Sequence, residues 1–134
     1  AGIWRAPEWP VDVGSASSTR PAGTHGMQFD TVGKGEGAAF TTAGGHYNPM
    51  GKEHGLQNPK GPHAGDNQNI VVASSVAGRV SFTSDRVTLT PGTTTLFDAD
   101  GSSLVIHAAA DDQVTNPSGN SGARIACGVV RAPP

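Results

Sequence analysis

Three histidines and one aspartate lie in a polar stretch of the chain at spacings that suit a metal ion. His46, His54, His63 and Asp66 follow one another at intervals of eight, nine and three residues. Neutral imidazoles with one carboxylate are a ligand set that tetrahedral zinc accepts. The spacing therefore predicts a zinc site. The alternative, which spacing alone leaves open, is a set of scattered histidines that face solvent.

The segment 46–66 that carries these residues has no periodicity of its own. It is rich in Gly, Pro, Asn, Lys and Glu and has few apolar side chains, so neither a helical nor a strand repeat can be read in it. A polar loop of this length in a small domain needs something to order it, and a bound metal would do so. We expect a long loop that is organised by its metal.

Composition limits what else the chain can be. Its 134 residues predict one domain over 1–134, and a net charge of −2 argues against a nucleic-acid or membrane-surface binder. No apolar run approaches the roughly 18 residues of a membrane span. The first residues, AGIWRAPEW, lack the layout of a secretion signal.

The elements that must position the candidate ligands read as short strands. Nineteen glycines and ten prolines indicate many turns, and no long amphipathic helix is recognisable. Residues 1–22 are the least readable part, with at most two edge strands and a loop over 15–23. The alternating or apolar segments predicted as strands are 25–30, 69–77, 79–83, 86–90, 101–108 and 124–130. This pattern predicts an all-β fold, either a sandwich or an antiparallel Greek-key barrel.

Six short motifs occur in order over roughly the C-terminal four-fifths of the chain: HGMQFD, AGGHYNP, KEHG, HAGD, VIHAAADD and GNSGARIACGVV. In these motifs the chain resembles the copper–zinc superoxide dismutase family in its bacterial form. The resemblance implies an antiparallel Greek-key β-barrel with a zinc loop over 46–66 and an electrostatic loop over 107–124.

The resemblance also implies a role for each site residue. The zinc ligands would be His46, His54, His63 and Asp66, and His46 would bridge to copper. Copper would also be bound by His107, superoxide would be guided by Arg124, and the carboxylate linking the two metal positions would be Asp111.

The first metal strand departs from the family pattern. The family has HG-x-H-x-H, whose last two histidines bind copper, whereas this chain places Gln28 and Asp30 there. His25 then matches a structural histidine that pins loops by hydrogen bonds. Sliding the strand would make His25 a copper ligand with Met27 as the next, but a one-residue slip reverses the faces of a strand.

Gln28 and Asp30 have two interpretations. As fillers, Gln28 would donate its amide to Asp111 and Asp30 would face solvent. Alternatively Asp30, with His46 and His107, would form a remade second site of two imidazoles and a carboxylate.

These departures lead to one principal hypothesis. Zinc has no redox chemistry, and an amide and a carboxylate do not favour Cu(I), so copper affinity should fall by orders of magnitude. We expect a zinc-binding domain with little or no dismutase activity. The alternatives are a working dismutase that recruits copper through Met27, His25 or Asp30, and a protein that buffers or passes metal ions.

Three further side chains have expected roles, and for Arg124 there are two alternatives. Arg124 would either draw small anions inward or brace the loop 116–122 through its carbonyl groups. Asp111 is expected to accept the outer N–H of a zinc-bound histidine, and Asp112 to face water.

The family's disulfide and its first strands are also altered. Cys127 remains in the last strand as an expected buried, unreactive thiol, but Gly35 stands where the loop cysteine belongs. Little of the family's first two strands is recognisable in residues 1–10, so either these residues pair unconventionally, a second chain covers the gap as in a homodimer, or the domain is marginally ordered. Bacterial relatives are usually exported, which favours an extracytoplasmic or secreted location.

Overall fold

The computed structural model describes residues 2–5, 8–13, 22–72 and 84–130. Within these ranges the regular elements are seven strands and one short 3-10 helix at Ala38–Ala43. The strands are β1 (Gly2–Arg5), β2 (Glu8–Val13), β3 (Gly23–His25), β4 (Met27–Asp30), β5 (Ile70–Val72), β6 (Ser103–His107) and β7 (Arg124–Val129). None of the helices in the described ranges is long and apolar enough to cross a membrane.

The strands pair antiparallel in three groups. β1 pairs with β2, β3 with β5, and β6 lies between β4 and β7. The predicted strand 25–30 is divided at Gly26, because His25 pairs with Ile70 while Met27 pairs with Ile106. The chain thus passes from one sheet to the next at Gly26, where a Cβ would lie only 3.0 Å from the Ser121 Cβ. The all-β expectation is confirmed.

Alternation along β4 separates the core from the candidate site. Met27 and Phe29 are fully buried in the hydrophobic core. The other buried members of that core are Tyr47, Ala64, Ile70, Val87, Leu96, Leu104 and Val130. Because successive side chains of a strand point to opposite faces, Gln28 and Asp30 lie on the face away from this core.

The long polar loop is fastened to the free edge of β4 at both of its ends. The Tyr47 N–H donates to the Phe29 carbonyl, and the Phe29 N–H donates to the Gly65 carbonyl, each at 2.8 Å. Between these ends, residues 48–64 form turns without a helix or strand, as predicted. Both ends of the loop are therefore held against the same strand, β4.

The strand predicted over 86–90 is absent. Thr88 makes only an isolated bridge to Thr95, and the Leu96 N–H donates to the Thr88 carbonyl at 2.9 Å. The alternation of apolar and polar side chains over these residues is nevertheless present, since Val87 is buried and Leu89 packs against the core. The backbone instead turns back through residues 93–94, where the Thr95 N–H donates to the Gly92 carbonyl at 3.4 Å, and one bridge spans the turn.

Other sequence predictions fall partly or wholly outside the described ranges. The predicted strand 79–83 lies outside them, as do residues 15–21 of the predicted loop and 73–77 of the strand expected over 69–77. The readable part of the N-terminus forms the β1–β2 hairpin, in which Gly2 pairs with Val13 and Ile3 with Asp12. Two strands, the most that the sequence indicated for residues 1–22, are therefore present.

The lone thiol is less buried than expected. Cys127 is half-buried, and its Sγ lies 3.8 Å from the Lys34 carbonyl oxygen. Burial nevertheless raises the pKa of the Cys127 thiol. A Cβ built at Gly35 would overlap the Cys127 sulfur and lie 2.8 Å from the Cys127 Cβ. Cys127 is less buried than predicted because the residue that faces its sulfur, Gly35, has no side chain to cover it.

Replacing Gly35 by cysteine should re-create a loop-to-strand disulfide. Bridged Cβ atoms are typically about 3.8 Å apart, so the loop must move outward by about 1 Å. The bond should stabilise the fold by about 2–5 kcal/mol, less any strain. Thiol titration should find no free cysteine in oxidised Gly35→Cys protein, and denaturant unfolding should measure the gain.

The matched control for that substitution is Gly35→Ala, which adds a Cβ without a sulfur. It should be no more stable than the parent chain, with or without reductant. A Gly35→Cys protein that keeps two free thiols under oxidising conditions would contradict the placement of Gly35 against Cys127.

Candidate metal centre

The four predicted ligands meet at one place. One ligand atom from each of His46, His54, His63 and Asp66 lies within 4.8 Å of every other. Asp66 Oδ1 lies 2.9 Å from His54 Nδ1 and 3.3 Å from the Nδ1 atoms of both His46 and His63. His46 Nδ1 and His63 Nδ1 are 3.2 Å apart. The scattered, solvent-facing arrangement is therefore wrong.

These separations can be compared with the edges of a coordination tetrahedron. Nitrogen and oxygen ligands about 2.0–2.2 Å from zinc lie about 3.3–3.5 Å from one another. The distances of 2.9–3.3 Å that involve Asp66 Oδ1 match this spacing or fall slightly below it. The three separations from Asp66 Oδ1 and the His46–His63 separation thus have about the size of tetrahedral edges.

The tautomer of His54 shows that a cation belongs between the ligands. His54 Nε2 lies 2.8 Å from Asp111 Oδ1, and because a carboxylate only accepts, this nitrogen carries the proton. In a neutral ring, Nδ1 then has a lone pair, which faces the Asp66 Oδ1 lone pairs at 2.9 Å. Burial lowers the pKa of His54, but hydrogen bonds to Asp111 and Asp66 outweigh it and raise the pKa to about 9. Two acceptor atoms that face one another at this distance call for a cation between them, either a proton or a metal ion that replaces it.

Asp66 is held in place by the backbone around it. Its Oδ2 accepts the N–H groups of Gly55 and His63, at 2.8 and 2.9 Å. Arg86 donates to the Asp66 carbonyl oxygen. Burial opposes ionisation, but hydrogen bonds from the three imidazoles and Gly55 hold the pKa of Asp66 well below its usual range. Oδ1 is thereby left as an anionic oxygen aimed at the three histidines.

Asp111 connects this cluster to strand β4. Its carboxylate accepts from His54 Nε2 at 2.8 Å, from the Gln113 N–H at 2.7 Å and from Gln28 Nε2 at 2.7 Å. The backbone of Asp111 is clamped by the Asn69 amide, which both donates to its carbonyl and accepts its N–H. The expected Gln28–Asp111 hydrogen bond is present, so the buried carboxylate links the first cluster to the strand.

Several supporting residues were not found from the sequence. Arg86, Asn69 and Gln113 stabilise the site through backbone carbonyl and N–H groups, and such contacts leave no motif. Asp112, expected to face water, is exposed, and hydrogen bonds from Thr115 and neighbouring N–H groups lower its pKa to about 2. Asp112 thus stabilises the turn that follows the buried Asp111.

Gly119 allows the electrostatic loop to approach His54 closely. It has a φ of +66°, and a Cβ there would overlap Asp111 Oδ1 and lie 2.8 Å from His54 Nε2. We expect Gly119→Ala to displace the Asp111 carboxylate and to lower zinc affinity about 10–100-fold, as loss of such an outer hydrogen bond typically does. Competition with a chromophoric chelator would measure this change.

Gly122 gives the matched control for Gly119. It also has a positive φ, of +79°, but a Cβ there would meet only the Ala108 Cβ, at 3.8 Å. Gly122→Ala should strain the backbone to a similar degree and leave zinc affinity within about twofold of the parent. Equal losses of affinity in the two variants would show that strain, and not the contact with Asp111, is responsible.

The second predicted metal position lies on the face of β4 that is turned away from the hydrophobic core. Its residues are Gln28, Asp30, His107 and His46, and the rings of His46 and His107 are 6.2 Å apart between centroids. Asp30 is fully buried, so the expectation that it faces solvent is wrong. The end of the loop at His46 forms a backbone bridge with Asp30 and covers it. Burial raises the pKa of Asp30 to about 7, opposed by Arg124 and reinforced by Asp66.

Arg124 braces a different segment from the one predicted. Its Nη1 donates to the Phe40 carbonyl at 2.9 Å, and its Nη2 donates to the Gly44 carbonyl. These groups belong to the 3-10 helix and its end, not to the loop 116–122. Nη2 also lies 3.5 Å from Asp30 Oδ2. The bracing interpretation of Arg124 is thus supported, but with the 38–44 segment as the part that is braced.

His25 occupies a structural position. It is buried, and its Nδ1 donates to the His107 carbonyl at 2.8 Å. It pairs with Ile70 on β5, whereas Gln28 and Asp30 pair with Val105 and Ser103 on β6. The register therefore places Gln28 and Asp30, and not His25, beside the second position.

Comparison with known proteins agrees with this geometry. The sequence model described as copper/zinc superoxide dismutase matches residues 6–130. The chain belongs to this family. The superoxide dismutase-like protein YojM of Bacillus subtilis is 44% identical over 117 residues, which are 87% of this chain and 60% of YojM. Superoxide dismutase [Cu-Zn] 2 of Aquifex aeolicus is 50% identical over 93 residues, which are 69% of this chain and 54% of that protein.

Solved structures of family members share the fold. The chain matches a SOD-like protein from Bacillus subtilis at 41% identity with a TM-score of 0.82, covering 90% of this chain and 80% of the other. A double mutant of a SOD-like protein from Bacillus subtilis matches with a TM-score of 0.84, also at 41% identity, over 95% and 84% of the two chains. The Greek-key β-barrel expectation is confirmed. The chain spans only about half to three-fifths of the two curated relatives named above.

Proposed function

We propose that this chain is a zinc-binding member of its family that has little or no superoxide dismutase activity. One observation carries the proposal: β4 places Gln28 and Asp30, both fully buried, on the face beside His107 where a copper-binding member needs two imidazoles. An amide and a carboxylate are hard oxygen donors, and they stabilise Cu(I) poorly. Without a stable reduced state, copper cannot alternate between oxidation states as dismutation requires.

The charge at this position supports the same conclusion. A fixed guanidinium attracts small anions when its charge is not compensated. Here Asp30 Oδ2 lies 3.5 Å from Arg124 Nη2, and two carbonyl groups accept hydrogen bonds from the same guanidinium. When Asp30 is ionised, it offsets the positive charge that would draw superoxide inward. Loss of the copper ligands is thus accompanied by a weaker attraction for the anionic substrate.

The zinc half of the proposal rests on the first cluster. His46, His54, His63 and Asp66 fit zinc in donor type, in spacing and in the lone pairs that face one another. Bound zinc would supply structural order and no redox chemistry. The chain's own part is to hold His54 in its ligating tautomer through Asp111 and to hold Asp66 through the N–H groups of Gly55 and His63.

Metal analysis combined with a superoxide assay tests the proposal. Protein loaded with one equivalent of zinc and then with copper should keep its zinc, lose its copper to a Cu(I) chelator in the presence of a reductant, and remove superoxide no faster than a metal-free blank. The Aquifex aeolicus relative, loaded in the same way, serves as the comparison. One tightly held copper per chain together with rapid superoxide removal would overturn the proposal.

A working dismutase is the second candidate, and one observation favours it. His107 Nε2 is buried without a hydrogen-bond partner among the described residues, and the His46 ring lies 6.2 Å away. Two imidazoles could therefore still hold copper from opposite sides. The superoxide assay separates the two candidates directly, because rapid removal of superoxide is expected only from this second one.

A further inference from the structure

The second position contains buried acceptor atoms that have no hydrogen-bond donor among the described residues. They are Gln28 Oε1, both carboxylate oxygens of Asp30, and His107 Nε2. Buried polar atoms are nearly always hydrogen-bonded, so four unsatisfied acceptors in one small region need an explanation. An unpartnered acceptor buried in protein costs about 1–3 kcal/mol, and a charged one costs more.

The sheet register brings these atoms to one face. Gln28 pairs with Val105 and Asp30 with Ser103, so the side chains of these pairs share a face of the sheet. His107 lies two residues beyond Val105 in β6 and therefore points to the same side. His46 reaches this face from the loop end that bridges to Asp30.

Each imidazole directs one ring nitrogen to the second position. His107 Nδ1 donates to the Gly122 carbonyl at 2.9 Å, which fixes the tautomer and leaves Nε2 without a proton. His46 Nδ1 is turned toward Asp66 and His63, so Nε2 is the nitrogen left for a second contact. In the zinc-loaded chain this Nε2 carries the ring proton, which a second cation would have to displace to water. Gln28 also presents an acceptor atom at the second position. Its Nε2 donates to Asp111, and its Oε1 has no hydrogen-bond partner among the described residues.

We propose that His46, His107, Asp30 and Gln28 form a second metal site that takes a divalent first-row cation and rejects Cu(I). This deepens the proposed function, on which it rests, by naming what the position binds in place of redox-active copper. Two imidazoles and a carboxylate are the donor set of open Fe(II) and zinc sites, and an amide oxygen suits the same hard ions. A divalent cation would satisfy the unpartnered acceptors of all three of these groups, the Gln28 amide, the Asp30 carboxylate and the His107 imidazole, at once.

Asp30 is the ligand that must move. Among the described residues, only the first cluster brings three or more His, Cys, Asp or Glu ligand atoms close enough together to hold a metal ion. Asp30 is beside Arg124, but at 3.5 Å and without a hydrogen bond, so an entering cation competes with a weak contact. The cation would draw the Asp30 carboxylate toward His107 and leave Arg124 bound to the carbonyl groups of Phe40 and Gly44.

Cobalt titration of the zinc-loaded chain tests this site. After one zinc per chain is verified, Co²⁺ should bind in about one further equivalent and show the visible spectrum of a nitrogen–oxygen site. Asp30→Asn should weaken this binding about tenfold or more while zinc content stays at one, since it removes the only anionic ligand of the second site. The matched control is Glu36→Gln, which neutralises an exposed carboxylate and should leave the binding unchanged.

The outcomes are distinct. A stoichiometry that stays at one metal in total, or a second cobalt whose affinity is the same in the parent and in Asp30→Asn, would overturn the second site. Either result would leave the proposed function in place. That proposal instead falls if Cu(I) resists a Cu(I) chelator and the copper-loaded chain removes superoxide rapidly, whatever cobalt does.

Discussion

Asp66→Asn protein is expected to lose at least about 100-fold in zinc affinity. Asp66 Oδ1 is the only anionic ligand atom of the first cluster and lies within 3.3 Å of all three imidazoles. Removing one partner of a buried, hydrogen-bonded charge costs about 3–5 kcal/mol, which corresponds to about a hundredfold or more in binding. Competition with a chromophoric zinc chelator would measure the change in affinity.

The same substitution should remove most of the stabilisation that zinc gives the fold. The loop 46–66 has few apolar side chains, so its interior is held by polar contacts such as the His54–Asp111 hydrogen bond, and a bound metal would add to these the bonds that join its three histidines to Asp66. A ligand that binds only the folded state stabilises it in proportion to the logarithm of its concentration over Kd. Thermal unfolding with and without zinc should show a large shift for the parent and for Glu36→Gln, and little for Asp66→Asn. An equal shift in all three proteins would contradict the assignment of Asp66.

The grouping of His46, His54, His63 and Asp66 could be predicted because the signal is local and chemical. Their loop has no hydrophobic face, so a metal was the remaining way to order it, and all four residues do converge. The all-β class followed similarly, from short alternating segments separated by Gly and Pro. Both predictions depend on residue type and spacing, which the sequence contains directly.

What could not be predicted depends on contacts between distant segments. Alternation over 86–90 identified buried Val87 but not the absence of a neighbouring strand to pair with. One of the two interpretations placed Asp30 in solvent, because nothing in the sequence shows that the loop end at His46 covers it. The bracing interpretation of Arg124 named the nearby loop 116–122, but the carbonyl groups that accept from its guanidinium, those of Phe40 and Gly44, lie about 80 residues earlier in the chain.

The double change Gln28→His with Asp30→His is expected to convert the second position into a copper site that removes superoxide at least about 100-fold faster than the parent. With His46 and His107 the site would contain four imidazoles, the donor type that suits copper. The histidine at 28 can donate to Asp111 as the Gln28 amide does now, at 2.7 Å. Loss of the Asp30 carboxylate would also leave the Arg124 charge uncompensated and favour entry of the anion.

The measurement is copper content after dialysis against a Cu(I) chelator, together with the rate of superoxide removal. Gln28→Asn with Asp30→Asn is the matched control, since it changes the same two positions and the same charge without adding an imidazole. The histidine pair should gain copper and activity, whereas the asparagine pair should gain neither, because removing the Asp30 charge alone supplies no ligand for Cu(I). If the histidine pair keeps its zinc and still takes up no copper, residues 28 and 30 are not the missing ligand positions, and the alignment of β4 with the family's first metal strand is wrong.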